Sequence, residues 1–99
     1  MVTIYTLGVW HVRRGREDEF VRAWDDLAQW TMQSGYESHG TLVRDRDVPY
    51  RFVSFGPWPS AEAARAWRDS AGFRERLARI EELVDRFEPQ TYDVVLRVG

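Results

Sequence analysis

The sequence predicts an α+β domain in which a four-stranded antiparallel sheet carries helices on one of its faces. Three observations predict it. Stretches with two-residue alternation and stretches with three-to-four-residue apolar spacing follow one another in the order βαββαβ. The two middle strands are only a few residues apart, which makes them an antiparallel hairpin. Right-handed crossovers then bring both helical stretches to the same side of the sheet.

The first strand runs from Val2 to Val12 and is apolar on both faces. Ile4, Thr6, Gly8 and Trp10 share one face; Tyr5, Leu7 and Val9 share the other. A strand of this kind is covered on both sides. Arg13, Arg14 and Gly15 turn the chain into a helix from Arg16 to about Ser34. Its first turn holds Glu17, Asp18 and Glu19, where the helix dipole favours anions. Phe20, Trp24, Leu27 and Thr31 recur at helical spacing, and Gly35 ends the run. Gly40 to Asp45 is the second strand and Tyr50 to Gly56 the third, with Arg46 to Pro49 between them.

The stretch from Arg51 to Phe73 organises the rest. Its alternation of aromatic and β-branched residues is that of a strand. Pro57 and Pro59 bracket Trp58 and are expected to stop the ladder, since neither has an N–H to donate. Ser60 is the N-cap of a short helix reaching Asp69, with Ala64 and Trp67 inward. Ser70, Ala71 and Gly72 interrupt it. Phe73, Leu77, Ile80, Val84 and Phe87 then predict a second amphipathic helical segment that Pro89 terminates. Thr91 to Val98 is read as the last strand.

Residues 1–99 read as one domain. A chain this short buries roughly two-thirds of its unfolded surface. Five Trp, five Phe and four Tyr exceed what its thin core needs. The surplus points to a subunit interface, a ligand cavity or both. There is no Cys, so thiol nucleophiles, disulfides and Cys-ligated zinc are excluded. All fourteen cations are Arg, which removes side-chain Schiff-base chemistry. A net charge of −2, with Arg interspersed among Asp and Glu, offers no basic stripe for nucleic acid. Met1 to Val12 has no basic leader and is too short to span a bilayer. A soluble, cytoplasmic protein is the default expectation.

Four segments carry a family likeness: Trp10 to Gly15, Glu17 to Trp24, Leu42 to Pro49, and Phe55 to Ser60 followed by Ala66-Trp67. On them, nearly the whole chain resembles the antibiotic biosynthesis monooxygenases, small dimeric proteins with a ferredoxin-like fold that pairs into an α/β barrel. The resemblance implies a homodimer with a ligand pocket between sheet and helices in each subunit. One branch of that family oxidises anthrone- or quinol-type aromatics with O2 and no cofactor; another binds and degrades haem. In the haem branch, Trp67 matches a helix Trp. Leu77 stands where the axial His belongs, and Gly8 where a first-strand Asn belongs. Loss of the iron ligand argues against haem. In the anthrone branch, Trp58 matches a Trp at the end of the third strand. Ser54 and Ala64 replace an Asn four residues before it and a Tyr six residues after it.

Cofactor-free oxygenation asks little of a protein, because the deprotonated substrate itself reduces oxygen. The site supplies a dry aromatic pocket, a base and a donor that steadies the anion. The catalytic candidates are His39 as base, Ser54 as hydrogen-bond donor and Trp58 as pocket wall. Trp24, Trp67, Phe73 and Trp10 are the substrate-binding candidates. His11 is a second imidazole, set beside Arg13 and Arg14. For each there is a plainer reading: a solvated or structural His, and aromatics that merely fill the core. No metal is expected, since the two His are far apart and no carboxylate spacing repeats a metal motif. Two readings of other classes compete. One is a non-catalytic dimeric domain of the same fold that binds a small molecule or serves as a scaffold. The other is an RNA-recognition domain, which shares the element order and strand aromatics. It lacks the basic residue and Gly ahead of the third-strand aromatics, where Val48 and Pro49 stand. The outer sheet face, with Tyr5, Val53, Phe55 and one side of Thr91–Val98, is expected to meet a second copy.

Overall fold

The computed structural model describes residues 2–99. The elements are β1 (Ile4–Val12), α1 (Glu17–Gln33), β2 (Thr41–Arg44), β3 (Arg51–Trp58), α2 (Ala61–Asp69), α3 (Ala71–Glu81) and β4 (Val84–Asp93). The sheet order is β2-β3-β1-β4 and each neighbouring pair is antiparallel. This is the ferredoxin-like arrangement that the element order predicts. No helix among the described residues is long and apolar enough to cross a membrane.

Local chemistry explains the helix ends. Gly35 follows α1 with φ of +85°, a left-handed conformation that costs glycine little. The Ser60 hydroxyl accepts from the Ala63 N–H at 3.1 Å and starts α2. Ser70 closes α2 in an extended conformation and caps α3, its Oγ accepting from the Phe73 N–H at 3.2 Å. The expected interruption at 70–72 is therefore a corner with both helix ends satisfied.

The helices cover one sheet face. Trp10, Val12 and Phe52 from the strands meet Phe20 and Leu27 of α1 and Phe73 and Ile80 of α3. Ile4 and Trp58, at the other end of the strands, meet Ala64 of α2. Tyr5, Val43, Phe55 and Tyr92 stay exposed on the opposite face, at 39%, 44%, 37% and 50%.

Three expectations are corrected. First, the amphipathic run from Phe73 to Phe87 is not one helix. It leaves α3 after Glu81, and Val84 pairs with Val12 while Phe87 pairs with Trp10. The apolar spacing persists across a helix-to-strand junction because both elements face the same core. Pro89 lies inside β4, opposite Gly8; β4 is an edge strand, where a missing N–H is tolerated on the open side. Second, the last strand spans Val84–Asp93 rather than Thr91–Val98. β1 begins at Ile4, opposite Asp93, so the chain beyond has no strand to pair with. Val95, Leu96 and Val98 are 92%, 77% and 90% exposed. Third, Pro57 does not stop β3, which continues to Trp58 with Pro57 opposite Tyr5. The Pro57 carbonyl accepts from the Ser38 hydroxyl, on the side away from β1. The N and C=O of one strand residue point the same way, so the absent N–H would have faced the Ser38 segment before β2, where no ladder partner stands.

Candidate functional site

The inner sheet face is large at its ends and small in its middle. Along β1 it reads Ile4, Thr6, Gly8, Trp10; along β3 it reads Trp58, Gly56, Ser54, Phe52. Thr6 pairs with Gly56 and Gly8 with Ser54. Four small residues thus form one contiguous patch beneath the helices. The missing side-chain volume is a cavity of about 70 Å³, floored by those four residues.

Aromatic rings wall it. Trp24 comes from α1, Trp58 from β3, Trp67 from α2, Phe73 from α3, and Trp10 and Phe87 from β1 and β4. Trp58 and Trp67 lie 4.9 Å apart by ring centroid, and Trp67 and Phe73 4.5 Å. Phe87 stacks on Trp10 at 3.7 Å, with 9° between the planes.

Three indole N–H groups around the cavity are each satisfied by a hydroxyl. Trp10 Nε1 donates to Ser54 Oγ at 2.8 Å, Trp58 Nε1 to Thr6 Oγ1 at 3.1 Å, and Trp67 Nε1 to Thr31 Oγ1 at 2.9 Å. Thr31 passes its own proton to the Leu27 carbonyl at 2.8 Å. A buried indole N–H without a partner is costly, so these hydroxyls belong to the packing. Ser54 and Thr6 act here only as acceptors, which leaves each a hydroxyl proton to donate.

Polar character enters at two edges of the same rung. Gly56, Thr6 and Thr91 are consecutive register partners across β3, β1 and β4. At the β3 end, the His39 backbone carbonyl packs so closely on Gly56 that an added Cβ would sit 2.7 Å from it. His39 and Gly40 are exposed and form the mouth. At the β4 end, Arg68 donates to Thr91 Oγ1 at 2.9 Å and to the Gln90 carbonyl at 3.3 Å. It is half-buried, and that burial lowers its pKa from the ordinary guanidinium value.

The structure brings together all seven candidates named from the sequence: His39, Ser54, Trp58, Trp24, Trp67, Phe73 and Trp10 line this one cavity. The Trp58 ring is 2% exposed and its N–H is engaged by Thr6, so it offers a surface and no donor. His11 lies elsewhere, on the outer face, with Nε2 2.8 Å from Glu88 Oε1. That bond, followed by the Arg86 contact, holds the Glu88 carboxyl below its usual pKa. Thr6, Gly56 and Arg68 were missed, although the small-residue alternation in two apolar strands was a readable signal for the first two.

Leu77, at the position where the resemblance puts the axial His of the haem branch, is aliphatic and packs against the core, and His39 is the one imidazole among the residues lining the cavity. No group of three or more His, Cys, Asp or Glu among the described residues is arranged to hold a metal ion.

The family model described as antibiotic biosynthesis monooxygenase matches residues 3–79. Among solved structures, the chain is similar to SnoaB from Streptomyces nogalater, described as a cofactor-independent oxygenase. The two share 18% identity over 99% of this chain and 98% of that one, with a TM-score of 0.87. A SnoaB variant superposes with a TM-score of 0.89 at the same identity and coverage. A conserved protein from Methanosarcina mazei Go1 is 18% identical over 93% of this chain and 92% of that one, with a TM-score of 0.83. At these identities the likeness shows the fold. No curated protein matches the sequence.

Proposed function

Because the chain belongs to the antibiotic biosynthesis monooxygenase family, we propose that it oxidises an electron-rich anthrone- or quinol-type aromatic with O2, without a cofactor. The observation that carries this reading is the composition of the cavity. Aromatic walls surround a floor of small residues, two buried hydroxyls, Ser54 and Thr6, have a proton to give, and an imidazole stands at the mouth.

For an anthrone-type substrate, His39 takes a proton from the ring methylene, and Ser54 donates to the oxygen on which the negative charge gathers. The carbanion reduces O2 by one electron, and recombination forms a C–O bond as a peroxide. The imidazolium returns its proton to give a hydroperoxide. Loss of water leaves a ring carbonyl, so that CH2 and O2 become C=O and H2O. The walls keep bulk water from the anion. The space of about 70 Å³ is well below the roughly 300 Å³ of the smaller ligand pockets. It accommodates oxygen and the reacting edge of a ring, while the remainder of a fused system extends past His39 and Gly40.

The working unit in this reading is a homodimer joined through the outer sheet face. Tyr5, Leu7 and Val9 of β1 and Val53 and Phe55 of β3 line that face in register.

Oxygen uptake on anthrone and quinol substrates tests the chemistry. His39→Ala is expected to keep the fold and slow uptake by about a hundredfold. An unchanged rate removes His39 from the reaction. No uptake on any such substrate leaves the non-catalytic aromatic-binding reading, which Ala64 in place of a tyrosine favours.

A further inference from the structure

Arg68 is the one charged side chain that lines the cavity. Among the described residues no carboxylate lines the cavity. Some arginines pair with acids, as Arg16 does with Glu19, Arg51 with Asp45 and Arg86 with Glu88, while Arg14 and Arg97 donate to neutral oxygens at the surface, away from any cavity lining. Arg68, on the cavity, donates to two neutral oxygens, Thr91 Oγ1 and the Gln90 carbonyl. Those two bonds use one N–H of each terminal nitrogen. Three of the five guanidinium N–H groups remain, and they form the kind of fork that matches an anionic oxygen. A half-buried charge with no counter-charge is a site where an incoming anion gains more than it does in water.

The bonds to β4 also fix where that charge sits. Thr91 is the register partner of Thr6, in the cavity floor. Arg68 is thereby held at one end of the Gly56–Thr6–Thr91 rung, with the His39 backbone carbonyl at the other. Adjacent strands are about 4.8 Å apart, so the ends of the rung lie roughly 10 Å apart, and an aromatic whose anionic substituent enters the cavity toward Arg68 extends along the rung to the mouth at His39. We propose that Arg68 is a specificity residue, and that the cavity takes an aromatic bearing an anionic oxygen, carboxylate or phenolate, which Arg68 pairs while the opposite edge of the ring faces His39. This names the substrate class of the site and rests on the reading of the cavity as an aromatic-ligand site.

Binding under nitrogen to non-oxidisable probes separates it from the oxygen chemistry. Tryptophan fluorescence reports titrations with 2-naphthoate and with 2-naphthamide, matched in shape and different in charge. The naphthoate is expected to bind at least tenfold more tightly, with the advantage shrinking as salt rises. Arg68→Gln is expected to abolish the preference and Arg68→Lys to keep part of it. A 2-naphthol series whose ring substituents lower the hydroxyl pKa distinguishes the anion types. Affinity that rises with the ionised fraction adds phenolates to the class, and affinity indifferent to it restricts the class to carboxylates. Equal affinities for the two naphthalene probes, a preference that survives Arg68→Gln, or no naphthoate binding up to millimolar concentration overturns the proposal. Should Arg68→Gln fail to fold, the wild-type charge preference and the Lys variant still decide. A charge preference without oxygen uptake refutes the oxygenase alone; uptake on neutral substrates that Arg68→Gln leaves unchanged refutes the role of Arg68 alone.

Discussion

Ser54 shows how one side chain serves packing and chemistry together. Its Oγ accepts the Trp10 N–H at 2.8 Å, deep in the core, and its proton remains for the cavity. Ser54→Ala strands a buried indole donor, with an expected cost of about 1–3 kcal/mol by urea denaturation. Pairing it with Trp10→Phe removes the donor as well, so the double variant should lose less than the sum of the two singles. Additive losses would mean that the bond contributes nothing. The sequence places Ser54 and Trp58 on one face through their spacing of four. It does not disclose that Trp58 spends its N–H on Thr6, because that depends on the register between two strands 52 positions apart in the chain.

At the scale of the element, the β2–β3 connection is held by one carboxylate. Asp45 Oδ1 accepts from the N–H groups of Asp47 and Val48 at 2.8 and 3.0 Å, and Oδ2 from Arg51 at 3.0 Å. The two backbone bonds, then Arg51, hold its pKa below the usual aspartate value. A folded-state pKa below the unfolded one contributes stability that is present above the unfolded value of about 4 and is lost as pH falls through the folded value. The difference in Tm between wild type and Asp45→Asn should therefore be constant above about pH 5 and shrink at lower pH. A difference that does not change with pH would show that the charge is not what steadies the turn. Turn residues and apolar alternation made this hairpin readable. β4 was not, because Val84 and Phe87 continue the spacing of α3 and Pro89 resembles a helix stop. Only the edge position of β4, a property of the whole sheet, makes that proline acceptable.

For the whole molecule, the question is what covers the outer sheet face. Both central strands are apolar on each side, which the sequence already displays, and the helices account for one side alone. Leu7 faces Phe55 and Val9 faces Val53 in register, with Tyr5 and Tyr92 beside them. The expected covering is a second copy through the same face, since a self-complementary apolar patch closes with two-fold symmetry. A stable pair of this kind buries roughly 1,200–2,000 Å². Light scattering at micromolar concentration should give twice the chain mass of 11.7 kDa. Phe55→Asp puts a charge at the centre of the patch, where two copies would bury it without a partner. The variant should therefore shift to the monomer mass. A wild-type monomer, or a dimer indifferent to Phe55→Asp, would place the interface elsewhere.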